Sequence, residues 1–234
     1  MGSKPYRVAI VPAAGIGSRF SREEKKTFVN LGGIPLIAHT LRALEHSELI
    51  TEIIPSVMEE DREIFVDLMR EFNFKKIKKI ASGGKERQDS VNNALNLIKE
   101  ADVVLIHDGV RPFVTDKLIN SLISSLNGCD GVVPGVPLRD TIKEVGEDGI
   151  VLSTPKRERL FAVQTPQVFN REIIKRAYER AYIDKYYATD DAALLERIGG
   201  KVRIIRGSLF NIKITFPEDI ILGEFILKRL EAFV

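Results

Sequence analysis

The chain has 234 residues, of which 44% are apolar and 29% are charged, and its formal net charge is +2. These values predict a globular protein of one domain over residues 1–234, and they argue against a basic surface that would bind nucleic acid. The longest apolar stretches, such as 103–106, are too short to cross a membrane, and the one cysteine, Cys129, excludes an intramolecular disulfide and favours a cytoplasmic location.

Short β-rich segments alternate with helical patterns along the chain. Strands are predicted over 7–11, 52–57, 77–81, 103–107, 131–136 and 202–206. Helices are predicted over 36–45, 59–72, 90–99, 116–126, 171–182, 190–198 and 218–233. This alternation predicts an α/β fold with an open, mostly parallel twisted sheet flanked by helices. Ligands of such sheets bind beyond the carboxyl ends of the strands.

A glycine-containing loop follows the first predicted strand. Gly15 and Gly17 would allow backbone N–H groups to surround a polyphosphate, and Arg19 adds a fixed positive charge. The segment lacks the G-x-x-x-x-G-K-[ST] pattern of a P-loop, and Phe20 stands where a dinucleotide fingerprint has its third glycine. By itself the loop predicts either a nucleotide site or an ordinary strand–helix turn.

A second glycine segment follows the third predicted strand. Gly83 and Gly84 precede Ser90, which stands at the beginning of the next predicted helix. These residues could contact a nucleotide base or ribose through backbone and hydroxyl groups. The alternative is a glycine turn with Asp89 or Ser90 near a helix N-terminus.

The segment after the fourth predicted strand carries a carboxylate and an arginine. Asp108 stands at the end of the strand, where it could hold Mg²⁺ bridged to phosphate oxygens, and Arg111 could bind a second phosphate. The alternative is a structural Asp–Arg pair. His107 should point to the opposite side of the strand, so we expect a buried hydrogen-bonding residue rather than a catalytic base.

Two later segments also stand out. Residues 139–154 form two short alternating runs around the turn signal 147–149. They predict a projecting polar β-hairpin arm over 139–159 that packs on a partner subunit or covers the site. Lys213 lies in a run that alternates apolar and polar residues, which predicts a strand with the lysine on one face. A solvated edge charge is the alternative for this lysine.

Seven motifs occur in order along nearly the whole chain: PAAGIGSRF, GGKERQDSV, HDGVRP, RDTIK, TPQ, TDDA and NIKIT. Together they resemble the bacterial-type 2-C-methyl-D-erythritol 4-phosphate cytidylyltransferase family. The resemblance implies a Rossmann-like nucleotidyltransferase fold. It also implies a Mg²⁺-dependent reaction in which CTP and methylerythritol phosphate give a cytidylyl diphospho-sugar alcohol and pyrophosphate.

The resemblance implies a role for each matching residue. Arg19 and Lys26 would stabilise charge on the α-phosphate of CTP and on pyrophosphate, with Lys25 as the alternative to Lys26. The nucleotide would be held by Ala13, Ala14, Gly15, Gly17, Gly84, Lys85 and Ser90. The sugar-alcohol phosphate would be held by Asp108, Arg111, Thr141, Arg157, Thr165 and Lys213. Of these, Asp108 would also bind Mg²⁺, and Arg157 and Lys213 would also act in catalysis.

A homodimer is implied by the same resemblance, because Thr141 and Arg157 would lie on or beside the arm and serve the partner's site. Two other functions remain open at this point. A ribitol 5-phosphate cytidylyltransferase shares the fold, the CTP site and a similar segment around Asp108. A non-catalytic nucleotide-sensing domain could keep the same pocket.

Overall fold

The computed structural model describes residues 5–15 and 25–231. Its strands are β1 (Arg7–Pro12), β2 (Asn30–Leu31), β3 (Ile34–Pro35), β4 (Glu52–Val57), β5 (Ala81–Ser82), β6 (Val103–Ile106), β7 (Gly131–Pro137), β8 (Glu144–Val145), β9 (Val151–Ser153), β10 (Phe161–Val163), β11 (Gln167–Asn170) and β12 (Val202–Arg206). Its α-helices are α1 (Leu36–His46), α2 (Arg62–Glu71), α3 (Arg87–Leu95), α4 (Asp116–Ser124), α5 (Arg171–Ile183), α6 (Asp191–Arg197) and α7 (Glu218–Glu231).

One eight-stranded sheet organises the described part of the chain. Its order is β10-β7-β11-β6-β1-β4-β5, and β12 pairs with β7. β1 lies parallel between β4 and β6, and β5 is parallel to β4, whereas β11 runs antiparallel to β6 and β7. The predicted fold class, a mostly parallel sheet flanked by helices, is therefore confirmed.

The central strand β1 is buried on both faces, as its continuous apolar sequence indicates. Val8 and Ile10 pack with side chains of α3, α5 and α6, whereas Ala9 and Val11 pack with α1, α2 and α4. All four side chains are fully buried. Helices therefore cover both faces of the sheet, and the ends of its strands remain accessible. None of the helices in the described ranges has the length and apolar content to cross a membrane.

The strand predicted over 77–81 is wrong in its extent. Within this segment and its continuation to Ser82, only the isolated bridge at Ile77 and the short strand β5 pair with β4. Just before Ile77, the backbone N–H groups of Lys75 and Lys76 donate to the Glu45 carboxylate rather than to a strand. Regular pairing with β4 therefore begins only at Ala81, rather than at residue 77 as predicted. β10 and β11 were likewise not predicted, because they are short antiparallel strands without a clear periodic pattern.

The helix predicted over 90–99 begins earlier than expected, at Arg87. A reciprocal capping box causes this difference: the Glu86 side chain accepts from the backbone of Asp89, and the Asp89 carboxylate accepts from the Glu86 N–H at 3.0 Å. Arg87 therefore lies in the first turn of α3 instead of in a loop.

The predicted hairpin within 139–159 is present, with β8 and β9 paired antiparallel. Gly149 forms its turn with a φ of 78°, a conformation that favours glycine. The hairpin is less polar than expected, because Val145, Val151 and Leu152 are 55%, 51% and 66% exposed. It therefore presents an apolar surface to solvent.

Candidate active site

The carboxyl ends of the parallel strands β6, β1, β4 and β5 meet at one edge of the sheet. A cavity of about 730 Å³ lies at this edge. Nine of the residues predicted to form a site line it: Ala13, Ala14, Gly15, Lys26, Gly84, Lys85, Ser90, Asp108 and Lys213. The structure thus brings the two glycine loops, two of the predicted catalytic lysines and the predicted metal ligand together.

The glycine loop after β5 lies directly against the loop after β1. A side chain at Gly83 would place its Cβ 2.4 Å from the Cβ of Ala14, so this approach requires glycine. Gly84 donates its N–H to the Ser90 hydroxyl at 2.9 Å, and that hydroxyl donates to the Glu86 carbonyl at 3.2 Å. Ser90 therefore fixes the shape of the loop in addition to lining the cavity.

The adjacent lysines 25 and 26 have different surroundings. The Nζ of Lys25 lies 2.6 Å from the Asp61 carboxylate. Lys26 lines the cavity, in a turn that the Thr27 hydroxyl ties to the first loop by donating to the Ala13 carbonyl at 3.4 Å. Of the two lysines, Lys26 is therefore the one that an anion in the cavity would contact.

Asp108 is surrounded by cationic side chains. Its Oδ1 lies 3.0 Å from the Nε of Arg87, and its Oδ2 lies 2.9 Å from the Nζ of Lys213 and 3.7 Å from the Nε of Arg111. Burial raises the pKa of this carboxyl, but the three cations outweigh burial and hold the pKa well below its usual range. Asp108 is therefore a carboxylate at neutral pH.

Arg87, which the sequence analysis missed, joins Asp108 to a second buried carboxylate. Its Nη1 and Nη2 donate to the two oxygens of Asp191 at 3.0 and 2.8 Å. Burial lowers the pKa of Arg87, but Asp191 and Asp108 outweigh this effect and raise the pKa well above its usual value. The RQDSV and TDDA motifs contain both residues, yet nothing in the sequence shows that they meet.

His107 lies behind Asp108 as the buried hydrogen-bonding residue that was predicted. Its Nε2 is 3.0 Å from the Arg111 carbonyl oxygen, and its Nδ1 is 2.9 Å from the Thr165 hydroxyl. Because the Arg111 carbonyl can only accept, the Nε2 of His107 must donate, and Nδ1 is left as the acceptor of the Thr165 hydroxyl. The oxygen of that hydroxyl in turn accepts from the Asp108 N–H at 3.0 Å. Burial lowers the pKa of His107 to about 4, so the ring is neutral and fixes the backbone at Asp108.

Arg111, Thr165 and Asn211 anchor the segment that carries Lys213. Arg111 donates to the Asn211 carbonyl at 2.8 Å, and the Asn211 amide donates to the Thr165 carbonyl at 2.8 Å. The segment lies outside the strands, and Ile214 donates its N–H to the Val110 carbonyl at 3.0 Å, so the strand predicted at Lys213 is wrong. Arg111 and Thr165 lie behind the cavity and are not part of its lining.

The arm residues lie apart from the cavity of their own chain. Thr141 and Arg157 are exposed and are not among its lining residues, and Arg157 donates to the Arg139 carbonyl at 2.7 Å. Two further predicted site residues, Gly17 and Arg19, lie outside the described residues.

The site fits a Mg²⁺ ion that is bound largely through its substrate. Within 5–15 and 25–231, no three or more His, Cys, Asp or Glu side chains form a group that could hold a metal. Mg²⁺ does not require such a group, since it keeps several waters and binds through one or two carboxylates plus substrate phosphates. Asp108, ionised and in the cavity lining, supplies a carboxylate of this kind.

Residues 7–229 match the model of the family described as 2-C-methyl-D-erythritol 4-phosphate cytidylyltransferase. A protein of that name from Syntrophus aciditrophicus is 45% identical over 232 residues, which cover 98% of this chain and 99% of that protein. One from Clostridioides difficile is 47% identical over 224 residues, with coverages of 95% and 93%. The crystal structure of 4-diphosphocytidyl-2C-methyl-D-erythritol synthase from Anaerococcus prevotii has a TM-score of 0.85 and 30% identity, with coverages of 96% and 97%.

Proposed function

The chain belongs to the 2-C-methyl-D-erythritol 4-phosphate cytidylyltransferase family, as its motifs predicted, and we propose that it joins CTP to 2-C-methyl-D-erythritol 4-phosphate. The products are 4-diphosphocytidyl-2-C-methyl-D-erythritol and pyrophosphate, in the non-mevalonate route to isoprenoid precursors. One observation carries the proposal: Lys26, Lys213 and the ionised Asp108 share one cavity with two glycine loops. A cytoplasmic location is part of the proposal, in keeping with the lone Cys129.

The proposed reaction requires neutralisation of charge rather than removal of a proton. The nucleophile is a phosphate oxygen of the sugar alcohol, which is ionised at neutral pH and needs no general base. It forms a bond to the α-phosphorus of CTP while the bond from that phosphorus to the bridging oxygen breaks, and pyrophosphate leaves with the electron pair. The cavity suits this chemistry, because its described lining contains lysines and no histidine or cysteine.

The position of each group suggests its part in this reaction. The glycine loops after β1 and β5 hold the nucleotide. Lys26 stabilises charge on the α-phosphate and on the departing pyrophosphate, and the PAAGIGSRF motif gives Arg19 the same role. Lys213 leaves its ion pair with Asp108 and binds the phosphate of the sugar alcohol. Asp108 would hold Mg²⁺, which would supply neutralisation of the phosphate charge.

A homodimer formed through the arm would complete the site. Thr141 and Arg157 stand on the exposed arm and not in the lining of the cavity in their own chain. The hairpin also exposes Val145 and Leu152, which a second copy would cover. In a twofold dimer, the Arg157 of each chain would reach the substrate phosphate of its partner, and both sites would be completed in the same way.

Pyrophosphate release tests the proposal against its rivals. With CTP and Mg²⁺, we expect release with methylerythritol phosphate to exceed release with ribitol 5-phosphate by at least about tenfold in kcat/KM. A preference for ribitol 5-phosphate would identify the rival cytidylyltransferase. Binding of CTP without release in the presence of either acceptor would indicate a nucleotide-sensing domain.

A further inference from the structure

We propose that Arg87 is a positioning residue for the metal-binding carboxylate of Asp108, and that Asp191 acts through it; this inference rests on the proposed function. The Arg87 guanidinium makes three hydrogen bonds of 2.8 to 3.0 Å, two to Asp191 and one to Asp108. A planar guanidinium can bridge two carboxylates at once, whereas an ammonium group cannot reproduce this geometry. The orientation of Asp108 therefore depends on where Asp191 holds Arg87.

Asp191 is itself held by the core of the protein. It is the first residue of α6 and is 1% exposed, and it accepts from the hydroxyl of Tyr178 on α5 at 2.5 Å. Tyr178 is equally buried, within the apolar cluster that α5 and α6 share. Asp191 is also absent from the described lining of the cavity. Its position is thus set by helix packing, and its hydrogen-bonded connection to the cavity lining is Arg87.

The two oxygens of Asp108 have different partners. Oδ1 accepts from Arg87, which Asp191 keeps in place, whereas Oδ2 faces Lys213. The Lys213 side chain is 36% exposed and comes from a segment without strand pairing, so it can leave Oδ2 for a phosphate. Arg87 therefore holds Oδ1, and the departure of Lys213 would make Asp108 available as a ligand for a metal ion.

A direct role of Arg87 in nucleotide binding is the competing explanation, because its side chain is 31% exposed and lines the cavity. The variant Asp191→Asn separates the two roles. It keeps an acceptor for Tyr178 and for one N–H of Arg87, but it removes the charge and the second bond. Asp191 does not line the cavity, and Arg87 is the lining residue with which it is hydrogen-bonded.

We expect Asp191→Asn to raise the Mg²⁺ concentration for half-maximal turnover about tenfold, as replacement of outer-shell partners of metal ligands commonly does. Calorimetry should show CTP affinity reduced by a similar factor with Mg²⁺ and unchanged with EDTA. The matched control is Asp184→Asn, which removes a carboxylate that pairs with Arg180 and Arg197 and lies outside the cavity lining. This control should change neither quantity.

Two results would overturn the positioning role. One is an unchanged Mg²⁺ dependence in folded Asp191→Asn protein, and the other is an equal loss of CTP affinity with and without Mg²⁺. If Asp191→Asn does not fold, Tyr178→Phe gives the same test, since it removes the hydroxyl that donates to Asp191 and also lies outside the cavity lining. Wild-type protein run in parallel tests the proposed function separately: if it releases no pyrophosphate, the function is wrong, and the calorimetric comparison still decides the role of Arg87.

Discussion

Replacement of Asp108 by asparagine should abolish Mg²⁺-dependent turnover. The amide is a poor ligand for Mg²⁺ and cannot balance the charges of Arg87 and Lys213, so we expect kcat/KM to fall at least about 10³-fold. Pyrophosphate release across a Mg²⁺ titration measures the effect. The matched control is Glu86→Gln, which changes the other acidic residue of the described cavity lining and should retain the Mg²⁺ dependence. Turnover of Asp108→Asn at ordinary Mg²⁺ concentrations would show that another carboxylate is the ligand.

The same variant should be less stable, in a manner that depends on pH. The pKa of Asp108 is depressed in the folded protein, so its charge contributes stability above the unfolded pKa of about 4, and this contribution declines as the pH falls below that value. We expect Asp108→Asn to lower the free energy of unfolding by about 2–4 kcal/mol at pH 7. Denaturant titrations at pH 7 and pH 3 should show a smaller difference at pH 3. A difference independent of pH would contradict the assigned ion pairs.

Mixing two inactive variants should restore activity if the arm of each subunit completes the active site of its partner. Arg157→Ala and Lys26→Ala should each lose at least about 10²-fold in turnover, since each removes a charge that stabilises the transition state. In a mixed dimer, one site then carries both defects and the other carries neither. Random mixing should give about a quarter of wild-type activity, because half of the dimers are mixed and each has one intact site.

The control for this experiment is a mixture of Lys26→Ala with Asp108→Asn. Both residues line the cavity of the same chain, so each site of a mixed dimer keeps one defect and activity should not return. If the mixture containing Arg157→Ala also stays inactive although mixed dimers form, Arg157 acts within its own subunit. Lys25→Ala should keep its activity, because Lys25 is paired with Asp61 and does not line the cavity.

The features of the fold that the sequence predicted are those with a local cause. β1 is recognisable because burial on both faces requires a continuous apolar run. The glycine loops and Asp108 are recognisable because they follow buried strands, whose parallel carboxyl ends must meet at one edge. The beginning of α3 was misplaced because Ser90 was predicted to be the first residue of the helix. The capping box of Glu86 and Asp89 instead begins the helix three residues earlier, at Arg87.

The contacts that the sequence could not predict join distant parts of the chain. Arg87 and Asp191 are 104 positions apart, and each taken alone has the pattern of a solvated helical charge. Lys213 could not be assigned a carboxylate partner, because its pairing with Asp108 depends on the anchoring of Asn211 by Arg111. Such pairings follow from packing of the sheet and helices rather than from spacing.

The path of labelled oxygen tests the central claim, that a phosphate oxygen of the sugar alcohol attacks the α-phosphorus of CTP. Methylerythritol phosphate labelled with ¹⁸O in its phosphate would be incubated with CTP, Mg²⁺ and the wild-type protein, and the products examined by ³¹P NMR and mass spectrometry. The account predicts pyrophosphate without label and a cytidylyl product that keeps all of it, including one ¹⁸O atom bridging the two phosphorus atoms. Label in pyrophosphate, or an unlabelled bridge, would contradict attack at the α-phosphorus and with it the assigned reaction.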